Sequence, residues 1–145
     1  MGEIQPSEDT AAYWFKLGNA LANGGQYEEA IKALDKAIEL NPKDTEMWNN
    51  RGIVLFFLKR NKEAISSFEK ATKIDPRNAE AWYNRGIVLC SLEKYEDAVD
   101  SLDKALEIDP QSPIVWHNKG VALRHLGRDN EARFAFACAG RLGMC

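Results

Sequence analysis

The sequence predicts an all-α fold, an α-solenoid of about eight helices arranged as antiparallel pairs. Three observations lead to this prediction: a tryptophan recurs every 34 residues, a glycine and two alanines keep the same interval, and a proline closes each of the first three units. A fixed period of this length is the sequence signature of stacked helical repeats. The recurring residues are Trp14, Trp48, Trp82 and Trp116; Gly18, Gly52, Gly86 and Gly120; Ala30, Ala64, Ala98 and Ala132; Ala37, Ala71, Ala105 and Ala139; and Pro42, Pro76 and Pro110.

Each recurring residue type has a physical role in a pair of packed helices. The glycine and alanine positions are small because two helices must approach closely there. The tryptophan fills space between units, so its truncation to alanine should cost about 3–5 kcal/mol of stability. The proline lacks an N–H and forces the preceding residue out of helical geometry, which ends the second helix.

Capping residues give the predicted bounds of the helices. Thr10, Asp44, Asn78 and Ser112 precede the units and are good N-caps, and Pro113 suits the first position of a helix. First helices are predicted near 11–23, 45–58, 79–92 and 113–126, and second helices near 27–40, 61–74, 95–108 and 129–141. The chain then divides into a polar lead at 1–10 and repeats at 11–44, 45–78, 79–112 and 113–145, which form one array and one domain.

Composition argues against several classes of partner. With 19 Lys and Arg against 22 Asp and Glu, the net charge of −3 is too small to attract nucleic acid or an anionic membrane. The polar lead does not resemble an export signal, and no apolar run approaches the ~20 residues of a membrane-spanning helix. Cys90, Cys138 and Cys145 have no C-x-x-C spacing and are typical of free thiols in a reducing compartment. We therefore expect a cytoplasmic protein.

In its period and in these residues the chain resembles the tetratricopeptide repeat (TPR) family, over about nine tenths of its length. The resemblance implies a right-handed superhelix in which first helices line a concave groove and second helices form the convex surface. One departure is systematic, because Arg51, Arg85 and Lys119 stand beside the glycine where the family has leucine. We call these three residues the cation row; only Leu17 keeps the leucine of the family.

The groove implied by the resemblance is the candidate binding site. Its residues are Asn19, Asn50, Asn84, Asn118, Ile53, Phe56, Phe57, Tyr83, Ile87, His117 and Val121, and the same alignment adds Asn49. Asn50, Asn84 and Asn118 align one repeat apart, and this row resembles the asparagine ladder of TPR superhelices that hold extended peptides. An amide offers donor and acceptor groups, so it can pair with a peptide backbone without reading its sequence. The alternative is that each Asn bonds its own helix or the adjacent loop.

Two modes of binding that depend on charged residues are the alternatives to this one. The carboxylate clamp of chaperone-binding TPR adaptors needs cations at places held here by Phe15, Glu80 and Asn84, so a ligand of that kind is not expected. The cation row has two interpretations. It is either a positive strip that steers an acidic ligand, or a set of packed alkyl stems whose heads reach solvent or a neighbouring carboxylate.

No pattern in the chain indicates catalysis. His117 and His125 are eight residues apart on one predicted helix, about 12 Å, which is too far to share a metal ion. Cys90 adds only a weak indication of a metal site, and phosphate loops, G-x-S-x-G and H-E-x-x-H motifs are absent. We expect no enzyme activity, no catalytic residues, no metal and no cofactor.

The last predicted helix departs from the earlier second helices. Phe134, Ala137 and Cys138 replace charged or hydroxyl residues, whereas Arg133 and Gly140 replace mostly apolar ones. The apolar surface has three interpretations: a homodimer contact, a docking patch for another partner, or a surface covered by a further segment. Self-association through Phe134, Ala137 and Cys138 is favoured, because a two-fold contact would close the end of a solenoid.

These patterns favour a protein–protein interaction module, a scaffold or adaptor that binds an extended peptide segment of a partner protein in the groove. The alternative is a self-associating structural protein that assembles through its terminal repeats, with its groove empty or filled by the polar stretch 2–9 of a neighbour. Neither function involves nucleic acid or a membrane.

Overall fold

A computed structural model describes residues 10–143, which fall into two compact units. Unit 1 extends to Ile74, and unit 2 begins at Asp75. Of the predicted polar lead only Thr10 is described; the stretch 2–9 and Cys145 lie outside the described residues.

Eight α-helices joined by short turns make up the described part of the two units. Unit 1 contains α1 (Ala11–Asn23), α2 (Tyr27–Leu40), α3 (Thr45–Phe57) and α4 (Asn61–Ile74), and unit 2 contains α5 (Ala79–Ser91), α6 (Tyr95–Ile108), α7 (Pro113–His125) and α8 (Asp129–Arg141). The predicted all-α class is confirmed, and α3, α5 and α7 each end one residue earlier than predicted. Within residues 10–143, none of the helices has the length and apolar character needed to cross a membrane.

The four predicted N-caps occupy the N-cap positions of α1, α3, α5 and α7. The side chains of Thr10, Asp44 and Asn78 accept hydrogen bonds from backbone N–H groups in the first turns of α1, α3 and α5. The side chain of Ser112 makes no capping hydrogen bond to α7. Pro113 occupies the first position of that helix and has no N–H, so one fewer donor needs a cap there.

Glycines allow the two helices of each pair to approach closely. A Cβ atom on Gly52 would lie 2.5 Å from the Phe68 ring, and one on Gly18 would lie 2.8 Å from Leu34 Cγ. Phe68 and Leu34 are buried, with 1% and 0% of their surfaces exposed. Because such well-packed side chains have little room to move aside, these glycines are confirmed as packing positions.

A hydrogen bond that the sequence did not predict links the prolines to the tryptophans. The indole N–H donates to the carbonyl oxygen of the proline six residues earlier, at 2.9 to 3.0 Å. The pairs are Pro42–Trp48, Pro76–Trp82 and Pro110–Trp116. The bond gives the indole N–H an acceptor while the rest of the ring is packed. It also explains why both residues keep the same period.

Candidate protein-binding surfaces

In unit 1 the first helices α1 and α3 are in contact and present the surface on which the sequence predicts a groove, here called face 1. Asn50 of α3 donates from Nδ2 to Oδ1 of Asn19 of α1 at 3.1 Å. Both side chains are half-buried. The bond joins adjacent repeats, so the fold brings two of the predicted groove residues together.

A shallow cavity of about 320 Å³ adjoins this amide pair. Ala22, Asn23 and Ile53 line it beside Asn19 and Asn50. The wall therefore combines carboxamides, which bond polar backbone groups, with aliphatic surface, which buries side chains. This is the chemistry expected of a surface that holds a peptide.

Phe56 and Phe57 lie at the C-terminal end of α3 and are not among the residues that line this cavity. Phe57 is 60% exposed and stacks on Tyr27 of α2, with ring centroids 5.4 Å apart. The Phe56 ring lies 6.4 Å from that of Phe57 in a tilted arrangement. Phe57 therefore contributes to the contact between the first two repeats while most of its surface stays accessible.

In unit 2 the first helices α5 and α7 form the corresponding surface, face 2. Asn118 donates from Nδ2 to the Ile114 carbonyl oxygen at 2.8 Å and to the Tyr83 hydroxyl at 3.3 Å. The first bond is within its own helix, as the alternative interpretation of the Asn row expects, and the second reaches the preceding repeat. A cavity of about 200 Å³ lies beside Tyr83 and is lined also by Glu80, Ile114 and Val115.

The two titratable groups of α5 that burial affects are both neutral at physiological pH. Burial raises the pKa of Tyr83 by more than the hydrogen bond from Asn118 lowers it. The phenol therefore accepts from Asn118 and keeps its own O–H for another acceptor. Burial also raises the pKa of the Cys90 thiol, so this cysteine lacks the thiolate character of a reactive site.

The remaining predicted groove residues of unit 2 lie on the same two helices. Asn84 and Ile87 belong to α5, His117 and Val121 belong to α7, and all four are half-buried. The His117 ring meets the Phe136 ring edge-on at 5.4 Å. One related prediction is wrong, because Asn49 is only 3% exposed. A helix turns by about 100° per residue, so Asn49 points into the unit although its neighbour Asn50 reaches face 1.

The hydrogen bonds that hold the amides of Asn50 and Asn118 are donated by Nδ2. The bonded Nδ2 group fixes the orientation of each amide, and the oxygen can accept from a ligand N–H.

Two residues of the cation row, Arg51 and Lys119, lie at junctions between repeats within a unit. Arg51 donates from Nε to Asp35 Oδ1 at 2.7 Å and from Nη1 to Ser67 Oγ at 2.6 Å. Lys119 Nζ lies 2.7 Å from Asp103 Oδ1. These pairings favour the interpretation in which packed stems carry the charged heads to a neighbouring carboxylate.

The serine partners of this row were missed from the sequence, although a signal was available. Arg85 donates to Ser101 Oγ as Arg51 does to Ser67, and each serine follows its arginine by 16 residues. Leu17 and Lys119 are instead followed at that interval by alanine. Both serines are buried, with 0% and 1% exposed, and the bond from the arginine gives each buried hydroxyl a partner.

The apolar residues singled out on α8 are accessible to different degrees. Phe134 is 63% exposed and meets the Trp116 ring of α7 edge-on at 6.1 Å. Ala137 is exposed, whereas Cys138 is half-buried. Phe134 borders a cleft of about 290 Å³ between α7 and α8.

The histidines have aromatic neighbours. His125 stacks on Tyr95 with centroids 4.4 Å apart, and His117 packs against Phe136. In the part of the chain that the structure describes, no three His, Cys, Asp or Glu side chains are grouped so as to hold a metal ion.

Comparison with known proteins accounts for this architecture. Tetratricopeptide repeat families match residues 15–78, 79–112 and 101–134. An uncharacterised protein of Methanocaldococcus jannaschii is 40% identical over 50 residues, which cover 34% of this chain and 58% of that protein, less than two thirds of its length.

Solved structures show the same fold. A crystal structure of MamA superposes with a TM-score of 0.89 at 24% identity, over 92% of this chain and 78% of that one. MamA residues 41 to the end from Desulfovibrio magneticus RS-1 superpose with a TM-score of 0.86 at 25% identity, over 93% of this chain and 76% of that one. Repeat spacing, helix pairs and family matches agree that the chain belongs to the tetratricopeptide repeat family, whose fold is a scaffold for protein–protein interaction.

Proposed function

We propose that the protein is an interaction module, a scaffold or adaptor, that binds an extended peptide segment of a partner protein on faces 1 and 2. The observation that carries this proposal is an oriented amide on each face. Asn50 is held by Asn19, and Asn118 is held by Tyr83 and by its own helix. An extended peptide presents N–H and C=O groups at regular intervals, and amides of this kind pair with them.

The polar groups on the two faces are matched to a peptide backbone. The amide oxygens of Asn50 and Asn118 accept from peptide N–H groups, and the neutral Tyr83 hydroxyl donates to a peptide carbonyl. Each such bond contributes about 1 kcal/mol net. The polar contacts therefore set the path of the peptide, and the affinity depends on further contacts.

Apolar side chains beside the amides provide those contacts. Ile53 lines the cavity of face 1, and Ile114 and Val115 line that of face 2. Burial of apolar surface contributes about 25 cal/mol per Å². The preferred ligand is therefore an extended segment that carries aliphatic side chains at intervals.

The proposal includes a cytoplasmic location. Cys90 and Cys138 are half-buried free thiols, which a reducing compartment preserves.

Selection of peptides from a random display library supplies both the ligand and the test. The affinity of the selected peptides is measured by calorimetry for the native chain and for Asn50→Ala and Asn118→Ala. Each substitution should weaken binding about fivefold, as expected for one net hydrogen bond. Asn130→Ala removes an exposed amide from α8, a second helix that lines neither cavity, and should leave the affinity unchanged.

The proposal fails if the native chain selects no peptide. It also fails if the Asn50 and Asn118 variants, shown by circular dichroism to be folded, bind the selected peptides as tightly as the Asn130 control does.

A further inference from the structure

The two junctions between consecutive repeats within the units, α2 with α3 and α6 with α7, are built from the same polar contacts. One is an ion pair between a residue of the cation row and a carboxylate, with an N–O distance of 2.7 Å at both junctions. The other joins an arginine before the next second helix to a glutamate, at 3.6 and 3.5 Å. The residues are Asp35–Arg51 and Glu28–Arg60 in unit 1, and Asp103–Lys119 and Glu96–Arg128 in unit 2.

Apolar and aromatic contacts complete each junction. Ile38 packs in one cluster with Met47, and Leu106 packs in one cluster with Val115. A cation also lies over each junction tryptophan, at 5.9 Å for Arg51 over Trp48 and 5.3 Å for Lys119 over Trp116.

The outer side of α1, together with the turn after it, lacks these features; we call it the head surface. It comprises Tyr13, Trp14, Leu17 and Gln26, which occupy the repeat positions of Met47, Trp48, Arg51 and Arg60. All four are half-buried or exposed. Leu21 of the same helix is also half-buried, whereas its counterparts Leu55 and Leu123 are 0% and 1% exposed. The head surface is therefore an open junction surface without its cations.

The corresponding side of α8, the tail surface, has lost the carboxylates. It comprises Asn130, Arg133, Ala137 and Gly140, which occupy the positions of Glu96, Val99, Asp103 and Leu106. All four are exposed. Arg133 donates to Asn130 Oδ1 at 2.6 Å, which leaves the Asn130 Nδ2 group for another acceptor.

Continuing the 34-residue period past α8 would place α1 of another molecule where the next first helix packs. In that register the changes on the head surface and on the tail surface compensate one another. Ala137 then meets Leu17, so an apolar pair replaces an ion pair. Asn130 meets Gln26, so two amides replace a glutamate and an arginine. Leu17 cannot pair with the carboxylate of an internal second helix, as Arg51 and Lys119 do, so the head suits this tail better than it suits the second helix of an internal repeat.

Volume matches in the same register. Gly140, the smallest residue, meets Tyr13, the largest residue at its repeat position, where α6 and α7 have Leu106 and Val115. Arg133 takes the position of Val99, which packs in one cluster with Ala122 and Leu123, so the register places it beside Ala20 and Leu21. Its alkyl stem can pack there while its guanidinium bonds Asn130 Oδ1.

We propose that the tail surface of one molecule binds the head surface of a second copy, in the register that continues the repeat. The contact is heterologous, so every added copy leaves one free head and one free tail, and the mass grows with concentration. This proposal is independent of peptide binding on faces 1 and 2.

Phe134 lies outside the proposed contact. Lys32 and Asp100 hold its repeat position on α2 and α6, and both remain exposed although a following first helix packs against each of those helices. A substitution at Phe134 should therefore leave the proposed contact intact but disrupt a two-fold contact through the outer surface of α8.

Sedimentation velocity of the full chain over a wide range of concentrations tests the proposal. The native mass should rise beyond that of a dimer. Leu17→Arg sets a cation against Ala137, and Ala137→Asp sets a carboxylate against Leu17; each should weaken association by about 30-fold or more. The double variant rebuilds the ion pair of the internal junctions and should recover association. Phe134→Asp is the matched control and should associate as the native chain does.

A mixing experiment checks that the contact is heterologous. An equimolar mixture of the Leu17→Arg and Ala137→Asp chains should associate although neither does alone, because mixing brings one native tail to one native head. The proposal is overturned by a native chain that stays monomeric, by Leu17→Arg chains that associate normally, or by a mixture that does not associate. Loss of association in Phe134→Asp alone would overturn it in favour of a two-fold contact on α8.

Discussion

The junction between α2 and α3 in unit 1 and that between α6 and α7 in unit 2 perform the same task with different side chains. Arg51 joins Asp35 to Ser67, whereas Lys119 reaches Asp103 alone because Ala135 stands where unit 1 has Ser67. A guanidinium has enough donors in a fixed geometry to serve two partners, and an ammonium on a flexible stem is sufficient for one. The cation and the residue 16 positions later therefore vary as a pair.

The aromatic contacts of the two junctions differ in the same manner. Tyr27 stacks on Phe57 with an interplanar angle of 5°, and Tyr95 stacks on His125 with an angle of 0°. The ring chemistry changes while the parallel stack is kept. What recurs between the units is thus the geometry of the junction, and individual residues are exchangeable where their partners change with them.

The largest expected difference between the units lies in their glycines. Gly52→Ala places a methyl group 2.5 Å from the Phe68 ring, which is 1% exposed and cannot yield. The clash should cost about 2–3 kcal/mol, more than the ~1 kcal/mol gained in helix propensity. Gly120→Ala meets the Phe136 ring at 2.8 Å, but that ring is half-buried and can shift, so this variant should be close to neutral. Urea unfolding followed by circular dichroism compares the two, and equal losses would contradict the comparison.

A smaller effect is expected from converting the polar junction of unit 1 into that of unit 2. Arg51→Lys keeps the pair with Asp35 but leaves the buried Ser67 hydroxyl without its donor. The free energy of unfolding should fall by about 1–2 kcal/mol. Adding Ser67→Ala reproduces the Lys119–Ala135 combination and should restore most of the loss. Additive losses in the double variant, measured by the same unfolding assay, would show that the two positions are not coupled.

The turns between paired helices provide a third comparison. Gly25 and Gly127 occupy left-handed backbone with φ of 79° and 75°, and Lys59 and Glu93 hold the same repeat position with φ of 61° and 59°. Non-glycine residues are disfavoured there by roughly 1 kcal/mol. Lys59→Gly and Glu93→Gly should each raise the thermal midpoint, by a stabilisation of about 0.5–1 kcal/mol. A lower midpoint in both variants would argue against the left-handed assignment.

The smallest effect concerns acid stability and should be equal in the two units. Hydrogen bonds from Arg60 and Arg128 lower the pKa of Glu63 and Glu131, respectively, below the ordinary value of 4.5. A carboxyl with a lowered folded-state pKa stabilises the protein above its unfolded pKa and loses that contribution as the pH falls through the folded value. Glu63→Gln and Glu131→Gln should therefore each lessen the dependence of stability on pH below 4.5. Unfolding midpoints of the two variants, measured across that pH range, check this prediction. A larger change in one variant than in the other would contradict it.

Much of the fold could be predicted because its determinants are local or periodic. N-caps such as Asp44, the spacing of Gly52 and the prolines set the helix bounds to within one residue. The failures concern side-chain direction and partners. Asn49 was expected on the groove but is buried, and the side chain of Ser112 makes no hydrogen bond at the N-cap position that it occupies.

The candidate site was less predictable than the fold for a physical reason. The bond from Asn118 to Tyr83 joins helices one repeat apart and depends on their relative rotation, which the repeat period alone does not specify. The Arg51–Ser67 bond, by contrast, is detectable in the sequence, because arginine and serine change together from repeat to repeat.

Titration of the isotope-labelled protein with a selected peptide, followed by nuclear magnetic resonance of the side-chain amide groups, tests the central claim most directly. Binding on faces 1 and 2 predicts that the NH₂ signals of Asn50 and Asn118 shift in proportion to occupancy while that of the exposed Asn130 on α8 stays fixed. Shifts confined to the second helices, with both asparagine signals unmoved at saturation, would contradict the account.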